Sequence, residues 1–208
     1  MKKREWEFKM KKDLIADAAA DLFLEKGVEN VTLAEIAAQV GYSKSSIYSY
    51  FNSRDDIISY LVEMADEEFR EIESFITEQL EKVEPGQLGS LFDVLFDESL
   101  RKTYRNKKIA TLFHKNIGLI YQNNGKIFEK IMDIYEKRID FLSMLLKRNI
   151  SDEKKAVLVS YLIMGILHGM DHYKMMEEKP LRDEEAYDIM KKFLKRALGD
   201  NVNAEEER

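Results

Sequence analysis

Residues 32–54 read TLAEIAAQVGYSKSSIYSYFNSR, a stretch that encodes two short helices joined by a tight turn. Thr32 and Glu35 have the spacing of a capping box, which predicts a helix start. Gly41 is predicted to end that helix after about two turns, and Ser43 to cap the next one. Two short helices with a glycine in the connecting turn form a helix-turn-helix.

The second of these helices has two unlike faces. Ile47 and Phe51 lie four residues apart and are predicted to face inward. The opposite face is small and polar, with one cation, one phenol and no carboxylate: Lys44, Ser45, Tyr48, Ser49 and Asn52. A helix that enters the DNA major groove, about 12 Å wide, needs such a face. The alternative is a helical hairpin inside a larger bundle.

The flanking sequence is helical as well. The apolar positions of residues 9–26 follow the 3.6-residue period, and Gly27 is predicted to end this helix in the left-handed conformation. Ser53 is predicted to cap a long helix that runs to about Lys82. Further helices are predicted at about 90–104, 107–122, 126–148, 152–177 and 183–198. With few glycines and prolines and negligible strand signal, the fold is predicted to be all-α with about nine helices.

The composition excludes several classes of protein. The chain has 208 residues and no cysteine, which excludes disulfides, cysteine-ligated metals and thiol catalysis. Polar, acid-containing residues follow the basic N-terminal stretch where a secretion signal would be apolar, so a cytoplasmic location is expected. The longest apolar stretch, residues 156–170, is shorter than the roughly 20 residues that cross a bilayer. No membrane partner is therefore predicted.

The charge of the chain is unevenly distributed. The formal net charge is −6, which by itself argues against nucleic acid as a partner. Residues 1–52 nevertheless carry equal numbers of basic and acidic side chains. Within the first twelve residues, the basic side chains outnumber Glu5 and Glu7. The excess acid thus lies in the remainder of the chain, including its last nine residues.

The stretch from Thr32 to Arg54, together with residues 18–27 before it, resembles the N-terminal domain of the tetracycline-repressor (TetR) family. The shared features are the helix-ending glycine, the threonine cap, the Ile-Ala pair, the turn glycine, Tyr-x-Tyr-Phe and the basic residue after the serine cap. The resemblance covers about residues 9–65. It implies a DNA-binding domain over residues 1–52, with the helix-turn-helix at 32–51. It also implies a helical ligand-binding and dimerisation domain over residues 53–199, followed by an acidic disordered tail over residues 200–208.

The resemblance also implies which residues contact double-stranded DNA. These are Thr32, Ser43, Lys44, Ser45, Ser46, Tyr48, Ser49, Tyr50 and Arg54. Tyr50 and Arg54 match positions that grip the backbone, and Thr32 would face a phosphate. The chemistry agrees, because lysine donates to guanine or phosphate and tyrosine packs on a thymine methyl. A basic arm suits phosphate contact or serves as a solubilising tail: Lys2, Lys3, Arg4, Lys9, Lys11 and Lys12.

Residues 156–170 are apolar nearly all round, which calls for burial on both faces. Gly165 and Gly169 would permit a second helix to approach closely. We therefore predict a homodimer built on the helices at about 152–177 and 183–198, an arrangement that the family uses. The alternative is a central helix of a monomer. A dimer would bind a near-palindromic operator whose half-sites lie about one helical turn or more apart.

The resemblance implies a small-molecule effector, for which the sequence offers only weak candidates: His114, Tyr121, Met164, His168 and His172. His168 and His172 are spaced as a metal-binding pair would be, but no third ligand is adjacent, so neither a metal nor a cofactor is predicted. No nucleophile–base pair, phosphate loop or dinucleotide motif indicates an enzyme. The predicted function is a homodimeric repressor released from its operator by a ligand. The alternative is a constitutive DNA-binding dimer without a small-molecule effector, in which the domain over residues 53–199 serves for assembly or binds protein partners.

Overall fold

The computed structural model describes residues 3–81, 89–90, 92–94, 104–148, 150–174, 178 and 180–199. These residues are helical apart from short turns, and none of them forms a strand. Numbered α1 to α8 in chain order, the helices are Lys3–Lys26, Leu33–Val40, Lys44–Tyr48, Arg54–Leu80, Tyr104–Asn123, Gly125–Leu146, Glu153–Lys174 and Asp183–Gly199. A short 3₁₀ helix, Val28–Asn30, follows α1. The predicted all-α fold is confirmed.

The largest departure from the predicted helix bounds is at the start of α1. The sequence pattern places its start near Lys9, whereas α1 already includes Lys3. The basic arm is therefore helical from Lys3 onward. The predicted helix at 90–104 lies mostly outside the described residues, and so does the predicted tail at 200–208.

The chain divides into two compact units. The first contains Met1–Glu68 and Tyr104–Met132, and the second contains Phe69–Thr103 and Asp133–Arg208. Helix α5 and the first residues of α6 thus belong to the same unit as the helix-turn-helix. The predicted functional boundary after residue 52 stays a prediction.

The core of the first unit is formed by one face of each of its helices. Its fully buried members include Ile15, Ala19, Phe23, Ile36, Ile47, Phe51, Ile57, Leu61, Ile109 and Leu112. Burial of large apolar side chains, at about 1.5–3 kcal/mol each, is what stabilises the short helices α2 and α3, since isolated helices of their length are marginal in water.

An ion pair between a buried lysine and two exposed carboxylates joins α5 to α1 at the edge of this core. Only 7% of the Lys108 side chain is exposed, and its Nζ lies 2.7 Å from Asp21 Oδ1 and 3.3 Å from Asp17 Oδ2. Burial by itself would lower the pKa of Lys108, but the hydrogen bond to Asp21 and the charges of both carboxylates raise it. Lys108 therefore stays charged, and the pair fixes the register of α5 on α1.

Two glycines have positive φ, and they serve different turns. Gly41 has φ 72° and ψ 26°, the left-handed conformation, and its N–H and that of Tyr42 bond to the last carbonyls of α2. Gly27 has φ 83° but ψ 145°, so the predicted left-handed helical cap is wrong in ψ. The reason is the 3₁₀ helix that follows, since its first N–H···O bond runs from Asn30 to the Gly27 carbonyl. Glycine alone adopts this conformation without strain.

The predicted capping box at the start of α2 is confirmed. The Thr32 hydroxyl accepts a hydrogen bond from the Glu35 N–H (3.2 Å), and Glu35 Oε2 accepts one from the Thr32 N–H (2.9 Å). Lys26 Nζ lies 3.0 Å from Glu35 Oε1. The backbone hydrogen bond from Thr32 and then the one from Lys26 lower the pKa of Glu35 to about 2.

The replacement Glu35→Gln should therefore make stability depend less on pH. Because the folded-state pKa of Glu35 is depressed, its ionised form stabilises the fold fully above its ordinary value of 4.5, and this contribution disappears as the pH falls through about 2. We expect the wild type to exceed the variant in urea midpoint at pH 6, with the gap closing between pH 4.5 and 2. A gap that is equal at pH 6 and pH 2 would contradict this linkage.

Candidate nucleic-acid interface

The start of α3 is fixed by a group of serines. Ser43 is the N-cap, and its Oγ accepts a hydrogen bond from the Ser46 N–H at 3.1 Å. The same Oγ lies 2.9 Å from the Ser45 hydroxyl and 2.7 Å from the Ser46 hydroxyl. The contact with the Ser46 N–H satisfies a backbone donor that α3, only five residues long, cannot satisfy itself.

Helix α3 is held by two buried side chains. Ile47 is 0% exposed and Phe51 is 2% exposed. The Phe51 ring meets the Tyr60 ring edge to face, with centroids 5.5 Å apart, which ties the end of the helix-turn-helix to α4. The inward face predicted from the sequence is thus observed.

The opposite face of α3 is exposed to solvent. Lys44, Ser45 and Ser49 are exposed, and Tyr48 is 47% exposed. Within the described residues, neither the Lys44 ammonium nor the Tyr48 hydroxyl has a protein partner. A cation, a phenol and two hydroxyls without a neighbouring carboxylate on this face can donate to guanine acceptors and phosphates and pack on a thymine methyl.

Three further residues with predicted DNA contacts have partners within the protein. The Thr32 hydroxyl takes part in the capping box, and the half-buried Tyr50 packs its ring against Phe8, with centroids 4.9 Å apart. Arg54 Nη1 donates to the carbonyl oxygens of Val28 (2.9 Å) and Glu29 (2.6 Å). Arg54 thereby satisfies carbonyls of the α1–α2 connection, a role that its sequence position does not reveal. The DNA contacts of all three stay predictions.

The second unit exposes an apolar surface on α7 and α8. The exposed side chains of this α7–α8 surface are Val157, Leu158, Tyr161, Leu162, Ile189 and Phe193. In the described part of the chain, a methyl group in place of the Gly165 or Gly169 hydrogen would meet no side chain and no neighbouring helix within 4 Å, so the backbone there is open to a second helix. Buried positions on the other sides of these helices, including Ile163 and Leu194, face the unit's own core. A group of exposed large apolar side chains on two neighbouring helices is typical of a protein interface.

The predicted ligand residues are spread over both units. His114 and Tyr121 are exposed on α5 in the first unit. In the second unit Met164 is 5% exposed, and the half-buried His168 stacks on Tyr135 with centroids 5.4 Å apart. The side chain of His172 lies outside the described part of the chain. The five residues do not form one cluster within either unit, and their role stays a prediction.

The described residues contain no group of three His, Asp or Glu side chains placed to hold a metal ion. None of the described helices has an apolar stretch long enough to cross a bilayer.

The N-terminal part of the chain is similar to bacterial transcriptional regulators. The model of the family described as bacterial regulatory proteins, tetR family, matches residues 15–61. The HTH-type transcriptional regulator YvdT of Bacillus subtilis (strain 168) is 24% identical over 114 residues, which are 52% of this chain and 54% of that protein. The chain spans about half the length of the curated relatives that it matches.

Solved structures share the fold over most of the chain. The TetR family transcriptional regulator PfmR from Thermus thermophilus has a TM-score of 0.67 at 20% identity, over 88% of this chain and 98% of that one. AibR in complex with isovaleryl coenzyme A and operator DNA has a TM-score of 0.65 at 14% identity, over 88% and 96%. At these identities the likeness concerns the fold alone, which is an N-terminal helix-turn-helix domain followed by a second helical domain.

Proposed function

We propose that this chain, whose residues 15–61 match the model of the tetR family, is a homodimeric transcriptional repressor that a small molecule releases from its operator. The observation that carries the DNA-binding part is the face of α3. Lys44, Tyr48 and Ser49 point to solvent from a helix anchored by Ile47 and Phe51. Ser43, Ser45, Ser46, Thr32, Tyr50 and Arg54 complete the proposed contact set.

The proposed homodimer rests on the α7–α8 surface. Its six apolar side chains lie on two neighbouring helices, beside an open glycine backbone. A two-fold axis through this surface would bring four helices together and bury the apolar side chains. Two recognition helices in one dimer would then read a near-palindromic operator in double-stranded DNA.

In the proposed release mechanism, the effector binds the helical domain over residues 53–199. In one state of the proposed dimer, the distance between the two recognition helices does not match the operator. A ligand that binds this state more tightly than the DNA-binding state lowers operator affinity by the difference between its two binding free energies, typically about 1–3 kcal/mol. AibR, which shares the fold, has been solved with both a small molecule and operator DNA. We retain His114, Tyr121, Met164, His168 and His172 as candidate contacts, with no cofactor and a cytoplasmic location. The second candidate is a constitutive DNA-binding dimer, distinguished by operator binding that no small molecule weakens.

The replacements Lys44→Ala and Tyr48→Ala test the DNA-binding proposal. Each should weaken binding to the operator by about 1–3 kcal/mol if its side chain contacts a base, because the lost contact has no substitute. The operator is sought in DNA flanking the protein's own gene, with gel shifts at several salt concentrations. Lys115→Ala, which removes an exposed lysine from α5, is the matched control. If both α3 variants bind like Lys115→Ala, α3 is not the recognition helix.

A further inference from the structure

The N-terminal part of α1 forms an arm that packs against the end of the helix-turn-helix. We define the arm as residues 3–14, before the first fully buried residue, Ile15. The Phe8 ring contacts the ring of Tyr50, two residues beyond α3, with centroids 4.9 Å apart. One turn later, Lys12 Nζ lies 4.2 Å from the centroid of the Tyr60 ring. The arm is therefore held in a fixed direction beside α3.

The cations of the arm divide into two groups. Lys9 pairs with Glu67 at 2.6 Å, and Lys12 lies over the rings of Tyr60 and Phe51, so both are used within the protein. Lys3, Arg4 and Lys11 are exposed, and within the described residues they have no partner. Lys2 lies outside the described part of the chain. The basic arm thus has fewer cations available for DNA than the sequence suggests.

The available cations do not share one face. Arg4, Phe8 and Lys11 follow the spacing i, i+4, i+7 and lie on one side of α1, whereas Lys3 lies on another. Since Phe8 meets Tyr50, Arg4 and Lys11 flank the point where the arm reaches the end of α3, one turn to either side. Glu7, three residues after Arg4 and four before Lys11, lies at one edge of this face, and Glu5, three residues before Phe8, lies at the other.

We propose that Arg4 and Lys11 bind the phosphate backbone of the operator beside the base-contacting residues of α3, and that the Phe8–Tyr50 contact positions them. This inference rests on the proposed DNA-binding function and adds a second contact region to it. The duplex presents a negative charge about every 1.7 Å, so cations held beside the recognition helix meet phosphates in any operator sequence. Tyr50 then acts as a positioning residue through its ring.

The salt dependence of operator binding tests the proposal. With the full chain, fluorescence anisotropy at several salt concentrations gives the slope of log K against log salt. In the double variant Arg4→Ala/Lys11→Ala, the slope should fall in magnitude by about 1.8 for each protomer bound, since each phosphate contact contributes about 0.9. The ranking of operator sequences should not change. Phe8→Ala keeps every charge and should still weaken binding, because the arm loses its position.

Lys3→Ala is the matched control, since it removes an exposed cation from the same arm but from another face. The proposal is wrong if the double variant keeps the wild-type slope, or if Lys3→Ala lowers the slope per cation as much as the double variant does. Circular dichroism verifies that each variant stays folded. If the wild-type chain binds no operator, the proposed function itself fails. If the wild type binds the operator and the double variant has the same salt slope, the proposed function stands and only the proposed phosphate contacts of the arm are wrong.

Discussion

The double variant Leu158→Glu/Phe193→Glu is expected to be a monomer that binds its operator weakly. Leu158 is 61% exposed and Phe193 is 60% exposed, which makes them two of the most exposed side chains of the α7–α8 surface. In the proposed dimer both copies bury them against apolar neighbours. Glutamate at these positions removes that gain and places charges where water would be excluded.

The expected effect is large. Full burial of such a side chain is worth about 1.5–3 kcal/mol, and about 60% of each one remains to be buried. The dimer buries Leu158 and Phe193 of both copies, so these four side chains contribute about 4–7 kcal/mol to dimerisation. That corresponds to a dissociation constant roughly a thousand-fold to a hundred-thousand-fold higher. A monomer also binds only one half-site. It therefore loses the high effective concentration that a dimer has for the second half-site once its first DNA-binding domain is bound.

Analytical ultracentrifugation and gel shifts measure the two consequences separately. Met144→Glu is the control, because Met144 is 54% exposed in the same unit but on α6. It should leave both the mass and the operator affinity unchanged. If the double variant sediments as the wild type does, then the α7–α8 surface is not the interface between copies of this chain.

The sequence predicts the helix-turn-helix in detail because its signals are local. Thr32 and Glu35 are three residues apart, and the Ser43 cap and the burial of Ile47 follow from neighbours within one or two turns. Such signals do not depend on the rest of the fold. The caps and the inward face of α3 were therefore predictable, along with the all-helical class.

Other features depend on contacts between residues far apart in the sequence. The Arg54 guanidinium binds carbonyls about 25 residues earlier, and Lys108 is buried against two carboxylates of α1. From the sequence, Arg54 is predicted to contact the DNA backbone, and no role is predicted for Lys108. Lys12 also has a partner, since it lies over aromatic rings of α4 and the preceding turn. Local periodicity contains no information about such pairs.

The replacement Phe51→Ala should strongly lower the stability of the first unit. The Phe51 side chain is 2% exposed, and its ring contacts both the Tyr60 ring and the Lys12 ammonium. Truncation of a buried phenylalanine to alanine costs about 3–5 kcal/mol, from lost transfer energy and from the cavity that remains. That is a large share of the roughly 5–15 kcal/mol that stabilises a typical domain.

The effect should reach DNA binding because Phe51 also holds the end of α3. Its N–H bonds to the Ile47 carbonyl at 2.9 Å, so the cavity lies directly behind the residues that we propose to read the operator. We expect a lower urea midpoint and weaker operator binding together, whereas Tyr48→Ala should weaken binding with an unchanged midpoint. Phe51→Leu, which keeps most of the volume, should lose less than about 1.5 kcal/mol. An unfolding midpoint of Phe51→Ala equal to that of the wild type would show that Phe51 does not support the recognition helix.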